Sequence, residues 1–424
     1  MNIECNELMN FIDNSVTQFH AVENVIEELK KNGFEKLESN KNWNLKIGGK
    51  YYTTKNNSSI IAFIYGKDTV NNGFRIIASH SDSPSLRLKP NTEVRQNDYI
   101  KLNVEVYGGP IANTWFDRPL GIAGRVMTKG ENVMKPKTVL FSYEEAVAII
   151  PNLAIHMQRG KDSENFSKQR DLQAIISGQD KDFSIKKSIS EKMGIDEESI
   201  IDYDLFLYEY TKSSYIGINK EWISAPRLDN LSMAHASLEA IKELSVNEWT
   251  SLLVVFDNEE VGNRTKQGAA SPWLKYVLER IILSQSKNRE DYFIALDSSF
   301  MLSSDLAHAI HPNRPEKHDP NNHPKLNKGP VIKVSANQAY TSDAESISVF
   351  ESICNKNSIP YQKFVNHSDQ PGGSTIGPTN STQLPIRSVD IGNPCLAMHS
   401  TRELVGDKDH GWMISAMKSF YESK

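Results

Sequence analysis

Cysteine is scarce in this chain: three residues in 424, at Cys5, Cys354 and Cys395, with no CxxC among them. That spacing argues against a disulfide framework and against a thiolate zinc site. Long apolar runs are missing too, and none reaches the roughly 18 residues that a bilayer-spanning helix needs. The first residues, MNIECNELMNFIDNS, carry acidic side chains early and contain no long apolar core. They do not read as a secretory signal, so a cytoplasmic location is expected. Basic excess is also absent: 48 Lys and Arg against 53 Asp and Glu give a formal charge of −5 and a pI near 6.2. No electrostatic footprint for nucleic acid follows from that balance. No internal repeat or heptad pattern stands out. At 424 residues the chain is too long for one small core, and two domains or one large elaborated α/β unit are expected.

What the chain does have is His, Asp and Glu at the ends of apolar runs. Glu259 and Glu260 follow SLLVVF (251–256) within DNEEVGNRTKQGAA. A run rich in Val and Leu that ends in Asp, Asn and Gly reads as a buried strand reaching a turn, where α/β folds collect ligands and catalytic groups. Successive side chains diverge there, so one carboxylate can hold a divalent cation while its neighbour addresses a water. Taken alone, such a pair is equally a solvated acidic turn.

His80 and Asp82 lie in the same setting, in GFRIIASHSDSPSLRLKP (73–90), where Phe74 to Ala78 runs into His-Ser-Asp. A metal-bound imidazole usually donates its second N–H to a carboxylate, and Asp82 is placed to accept it. Three further positions repeat the pattern. Asp229 in SAPRLDNLSMAHA (224–236) precedes a helix that it or Asn230 could cap; Asp305 comes after the apolar segment Tyr292 to Leu296; His399 comes after Cys395 to Met398. Each could be structural. Together they form a donor set of imidazole nitrogen and carboxylate oxygen without sulfur, which suits a catalytic zinc, cobalt or manganese. Two histidines and three carboxylates suffice for two metals if one aspartate bridges, and a pair about 3.5–4 Å apart can share a nucleophile and polarise a carbonyl.

These residues sit in six ordered motifs: HSDSP, APRLDNL, DNEEVG, SSDLAHAIHPN, GGSTIGP and MHSTRE. In that order and spacing they resemble the aspartyl aminopeptidase family of dinuclear zinc exopeptidases. The likeness extends to FHAV (19–22), NTWFDRPLGIAGRV (113–126) and PNLAIHMQR (151–159), so it covers nearly the whole chain. The resemblance implies that Asp229 is the bridging ligand, that His80 and Asp305 complete one metal, and that Glu260 and His399 complete the other. It makes Glu259 the general base, which takes a proton from water and passes it to the leaving amine. Asp82 keeps its orienting role. The pattern departs from the family at Thr17-Gln18, at Pro119 and at Gly372, none of which is a proposed ligand; Pro119 lacks an N–H and fixes φ, so it alters a local turn.

The resemblance also implies the architecture. It is a mixed-sheet α/β zinc-peptidase domain, residues 1–90 and 221–424, interrupted by an inserted, mainly β dimerisation domain over 91–220, whose dimers assemble into a dodecamer. The residues themselves show strand-like runs at 99–108, 121–127 and 202–210, and a charged stretch from 160 to about 199 that reads as a surface loop with a short helix near its end. By resemblance His156 reaches a neighbouring subunit's active site, where it can hold the substrate or stabilise an oxyanion; otherwise it is an interface histidine. Lys333 lies inside an apolar run, so it must reach solvent or face an anion. The resemblance places it in the first side-chain pocket, where it would select N-terminal Asp or Glu, with Gly372, Gly373 and Ser374 lining the same cleft. His308 and His311 are expected to support the site, and His318 and His323 to be surface residues.

The expected activity is therefore removal of N-terminal residues, preferably acidic, from peptides, with no nucleic-acid or membrane partner. Alternatives are a broader aminopeptidase, a related metal-dependent deacylase or carboxypeptidase, and a non-catalytic shell-forming homologue. A glycosidase is disfavoured, because its two carboxyls stand roughly 5–9.5 Å apart across the scissile bond, which adjacent residues seldom achieve.

Overall fold

The computed structural model describes residues 3–157, 167–178 and 182–424. Residues 160–166 and 179–181 of the charged stretch lie outside the described residues, as do Gln158 and Arg159 of the PNLAIHMQR motif. The chain divides into two compact units: Met1–Asp82 with Ser213–Met398 and Glu403–Lys424, and Ser83–Lys212 with His399–Arg402.

The first unit is built on a nine-stranded mixed sheet. Its strands are β1 (Glu35–Lys36), β2 (Lys50–Lys55), β3 (Ser59–Ile64), β4 (Phe74–His80), β5 (Thr250–Phe256), β6 (Phe300–Ser304), β7 (Val331–Val334), β8 (Gln362–Val365) and β9 (Arg387–Gly392). They lie in the order β1-β2-β3-β5-β4-β6-β9-β7-β8. The four central strands β5, β4, β6 and β9 are parallel. The residues of β4 and β5 are largely apolar on both faces because both faces are covered, whereas β6 and β9 also bury Ser303, Ser304, Ser388 and Asp390. Alternation sorts them: Ile77, Leu253 and Val255 join one core, whereas Ile76, Ala78, Leu252 and Val254 join the other. The first core is closed by α1 (Ile3–Asn14), α2 (Gln18–Lys31), α3 (Leu228–Ile241), α4 (Ala344–Lys356) and α5 (Asp409–Glu422). A second, five-stranded sheet runs 214–216, 222–225, 403–406, 394–396 and 307–308.

One sequence expectation changes here. The apolar stretch Tyr292–Leu296 belongs to a helix, Arg289–Asp297, started by a capping box in which Asn288 accepts from Glu290 and Asp291 and the Asp291 carboxylate accepts from the Asn288 N–H. The strand that leads to Asp305 is β6. The other unit is a six-stranded, wholly antiparallel sheet in the order 135–142, 120–132, 200–209, 85–96, 99–107, 175–177. The helix Ile185–Met193 packs Ile185 and Ile189 into its core with Leu102, Ile122, Leu205 and Leu207. No described helix is long and apolar enough to cross a membrane. The three cysteines are free thiols buried in the protein.

Candidate metal centre

The carboxyl ends of β4, β5 and β6 bring the first groups together. His80 is the last residue of β4 and is 1 % exposed. Its Nδ1 lies 3.0 Å from the carbonyl oxygen of Asp82. A carbonyl can only accept, so Nδ1 carries a proton here and Nε2 faces Asp229 and Asp305, at 3.5 and 3.8 Å. The expected acceptor, the Asp82 carboxylate, is slightly farther at 3.3 Å. That carboxylate also accepts the backbone N–H groups of Glu259 and Glu260, at 3.1 and 3.2 Å. Asp82 therefore meets His80 through both its main chain and its carboxylate, and ties the His80 loop to the Glu-Glu turn.

Glu259 and Glu260 lie on a 3₁₀ turn, Glu259–Val261, directly after β5. The turn is entered through Asn258 at φ +61° and left through Gly262 at φ +93°. Two left-handed residues so close together reverse the chain within one turn, which favours Asn and Gly at these places. Asp305 follows β6 directly, and its N–H donates to the Ile391 carbonyl at 2.9 Å. A side chain on Gly392 would collide with the Asp305 carbonyl, so the glycine permits this close approach.

Residues 229 and 230 have non-helical φ/ψ, with a cis peptide bond between them. The Asp229 N–H donates to Glu403 Oε2 at 2.9 Å, and the Asn230 amide donates to the Ser304 carbonyl at 2.8 Å. Glu403, 2 % exposed, was not singled out from the sequence, although it is the last letter of the MHSTRE motif. Its role is visible only across a sequence separation of 174 residues.

His80, Asp229 and Asp305 each offer a ligand atom within 4.8 Å of the others, and so do His80, Glu259 and Glu260. Burial opposes a charged imidazole, yet Asp229, Asp305 and Asp82 hold the His80 pKa well above its ordinary value. Donors negative enough to protonate a fully buried histidine fit a divalent cation, which takes the proton's place. Nitrogen and oxygen donors without sulfur suit catalytic zinc. Glu259 stands against this cluster. Burial first, and then Asp305, Asp82 and Asp229 against the opposing charge of His80, push its pKa up to about 8. Cations among those carboxylates would offset the repulsion and favour the basic form.

The other expected residues are placed differently. Lys333 is 2 % exposed, so it does not reach solvent. Its Nζ donates to the Leu306 carbonyl at 3.0 Å, lies 3.9 Å from Asp305 Oδ2 and sits over the Tyr340 ring at 5.3 Å. Burial would lower its pKa, but Asp305, with smaller effects from Tyr340, Asp390 and Asp229, raises it. Gly372, Gly373 and Ser374 form an exposed loop in which Ser374 donates to the Ala339 carbonyl at 3.2 Å.

His399 belongs to the antiparallel unit. It has φ +69°, and its Nδ1 lies 3.0 Å from the Gly109 carbonyl, which leaves Nε2 with the lone pair. His156 is exposed on the 3₁₀ turn Ile155–Met157 of the same unit. His308 is exposed and packs edge-on against Phe364, and the His311 N–H donates to His318 Nε2 at 3.0 Å. Neither His308 nor His311 joins the donor groups among the described residues.

Comparison with known proteins identifies the family. Residues 11–421 match the family described as aminopeptidase I zinc metalloprotease (M18). A probable M18 family aminopeptidase 2 of Clostridium novyi (strain NT) is 52 % identical over 423 residues, covering 98 % of each chain. The structure superposes on that of the Ape4 and Nbr1 complex with a TM-score of 0.93 at 35 % identity, over 99 % of this chain and 85 % of the other. It also superposes on the S. cerevisiae mApe1 dodecamer with a TM-score of 0.86 at 28 % identity, over 98 % and 96 %. With a mixed-sheet α/β fold, buried His80, Asp229 and Asp305 beside the half-buried Glu259 and Glu260, and a match over residues 11–421, this chain belongs to the M18 family of zinc-dependent aminopeptidases.

Proposed function

We propose that this aminopeptidase prefers peptides with N-terminal Asp or Glu and works through two metals, with Glu259 as general base. The observation that carries the reading is the buried group His80, Asp229 and Asp305 with the Glu259 carboxylate packed against it. His80 and Asp305 would hold one zinc, Glu260 and His399 the other, and Asp229 would bridge. Bound zinc supplies a Lewis acid that polarises the scissile carbonyl and acidifies water. Glu259 removes a proton from the attacking water and later delivers it to the leaving amine. Asp82 supports both halves by holding His80 and the two glutamate N–H groups. Lys333 is the cation available to an acidic first side chain, and the Gly372, Gly373 and Ser374 loop would line that cleft.

We further propose that the antiparallel unit mediates dimerisation and that the dimers build a closed dodecamer, as the mApe1 neighbour suggests. The exposure of His156 supports its entry into a partner copy's site. The test is release of the N-terminal residue from peptides bearing Asp, Glu or Leu, with free or acetylated N-termini. Free Asp and Glu termini should be released fastest. Equal rates for Leu remove the acidic preference, and turnover of acetylated peptides favours a deacylase or carboxypeptidase.

A further inference from the structure

The amino ends of the parallel strands carry a row of cationic and aromatic side chains. Arg75, Phe300 and Arg387 begin or nearly begin β4, β6 and β9, and they face one another in register, Arg75 opposite Phe300 and Phe300 opposite Arg387. His80 ends the same β4, so this row lies roughly 16 Å from the metal donors at about 3.3 Å per residue. A cavity of about 430 Å³ opens over the row. Lys356 at the end of α4 and Lys424 after α5 stand at its rim, and Phe300 and Phe420, with ring centroids 5.9 Å apart, form its apolar floor. That volume falls within the range of small-molecule sites.

The charges here are not balanced. Arg75 donates to the carbonyls of Asn72 and Ser298 at 3.3 and 3.2 Å and stacks on Trp249 at 4.9 Å, with no carboxylate in ion-pair reach among the described residues. Its pKa is lowered by burial and by the like charge of Arg387. Arg387 lies over the Phe300 ring at 5.8 Å and meets only Glu345, at 3.2 Å, in a pair whose side chains are 45 % and 65 % exposed. Exposed pairs of this kind leave the guanidinium available to a stronger acceptor. Lys356 has no acidic partner among the described residues. The lining hydroxyls of Ser348, Ser352 and Ser423 donate to carbonyls of their own helices, so recognition falls to the cationic groups.

We propose that this cavity binds a small phosphorylated molecule, its phosphoryl group held by Arg75, Arg387 and Lys356 and its apolar body resting on Phe300 and Phe420. Two planar guanidiniums and an ammonium match a dianion with three acceptor oxygens better than a single carboxylate. The site is separate from the peptidase centre and independent of the substrate preference proposed for it.

Calorimetric titration of zinc-loaded protein with phenyl phosphate tests the assignment, with benzoate and inorganic phosphate as comparisons. One phenyl phosphate should bind per chain with a Kd of about 1 mM or tighter, more tightly than either comparison. Arg387→Gln combined with Lys356→Gln, both exposed and far from the metal donors, should weaken it about ten-fold or more while peptidase activity stays unchanged. Arg75→Gln should abolish it, and the rim variant keeps the test decisive if Arg75→Gln does not fold. No saturable binding, equal affinity for benzoate, or unchanged affinity in the rim variant overturns the proposal; the last result would place the phosphate on the zinc.

Discussion

At the residue scale, the account turns on groups whose neighbours decide their chemistry. The groups that act most strongly on Glu259 are His80, Asp305, Asp82 and Asp229, and its elevated pKa marks a half-buried carboxyl held among other carboxylates. Glu259→Gln should lower kcat by about 10²–10⁴-fold with zinc content unchanged, measured by peptide turnover beside metal analysis. Lys333 is a sharper case, because it lies 3.9 Å from Asp305 while being the candidate cation for an acidic substrate. Lys333→Ala should raise KM for an N-terminal Asp peptide more than for its Leu counterpart. Equal increases would mean that the ammonium serves Asp305 alone. Three histidines, His20 half-buried and His235 and His410 fully buried, oppose stability in acid. Burial, and then Arg227, lower His20 to about 4; burial lowers His410 to about 3; and burial, with His410 and Lys242, lowers His235 well below its ordinary value. Their folded pKa values lie below the unfolded value of 6.5, so below pH 6.5 the unfolded chain takes up protons that the folded chain refuses. These three groups therefore withdraw stability as pH drops from about 6.5 toward 4, whereas the Glu259 and Asp409 carboxyls, raised to about 8 and about 6, add it; His410→Gln should lessen the acid fall of the melting temperature relative to the parent chain, and an unchanged profile would contradict the assignment.

At the element scale, strand ends and the turns after them hold the site. Asp82→Ala would leave the Glu259 and Glu260 N–H groups without their charged acceptor, at a cost of about 1.5–3 kcal/mol for each such bond. The expected outcome is a lower melting temperature together with weaker zinc retention during dialysis. In the other unit, Arg402 binds Glu209 at 3.3 Å and the Thr211 carbonyl at 2.7 Å, three residues after His399. Arg402→Ala would strand a glutamate that is 3 % exposed, a loss of about 3–5 kcal/mol for a broken buried pair. Much of this layout was legible in the sequence. The runs before His80 and Glu259 are strands because Val, Leu and Ile fill them and a polar turn stops them. The run before Asp305 misled, because five apolar residues without their flanks cannot distinguish a strand from a short helix, and the Asn288 capping box decides for helix. The Asp229 bond to Glu403 and the Asp82 bonds to the Glu-Glu turn join residues 174 to 178 positions apart, and no local pattern encodes such distances.

At the scale of the whole molecule, one sheet presents metal donors at one end of its parallel strands and a cationic cavity at the other. The family fixes the reaction as zinc-dependent aminopeptidase chemistry, whereas the acidic preference and the paired metals are proposals that solution work can decide. Zinc should also stabilise the fold, since a ligand bound only by the native state raises stability by RT ln(1 + [L]/Kd). The most direct measurement follows release of the N-terminal residue from Asp, Glu and Leu peptides by protein as purified, after chelation, and after titration back with zinc. Activity should vanish on chelation, return fully only near two zinc equivalents per chain, and favour Asp and Glu throughout. Full recovery at one equivalent, or release that ignores chelation, would contradict the two-metal account.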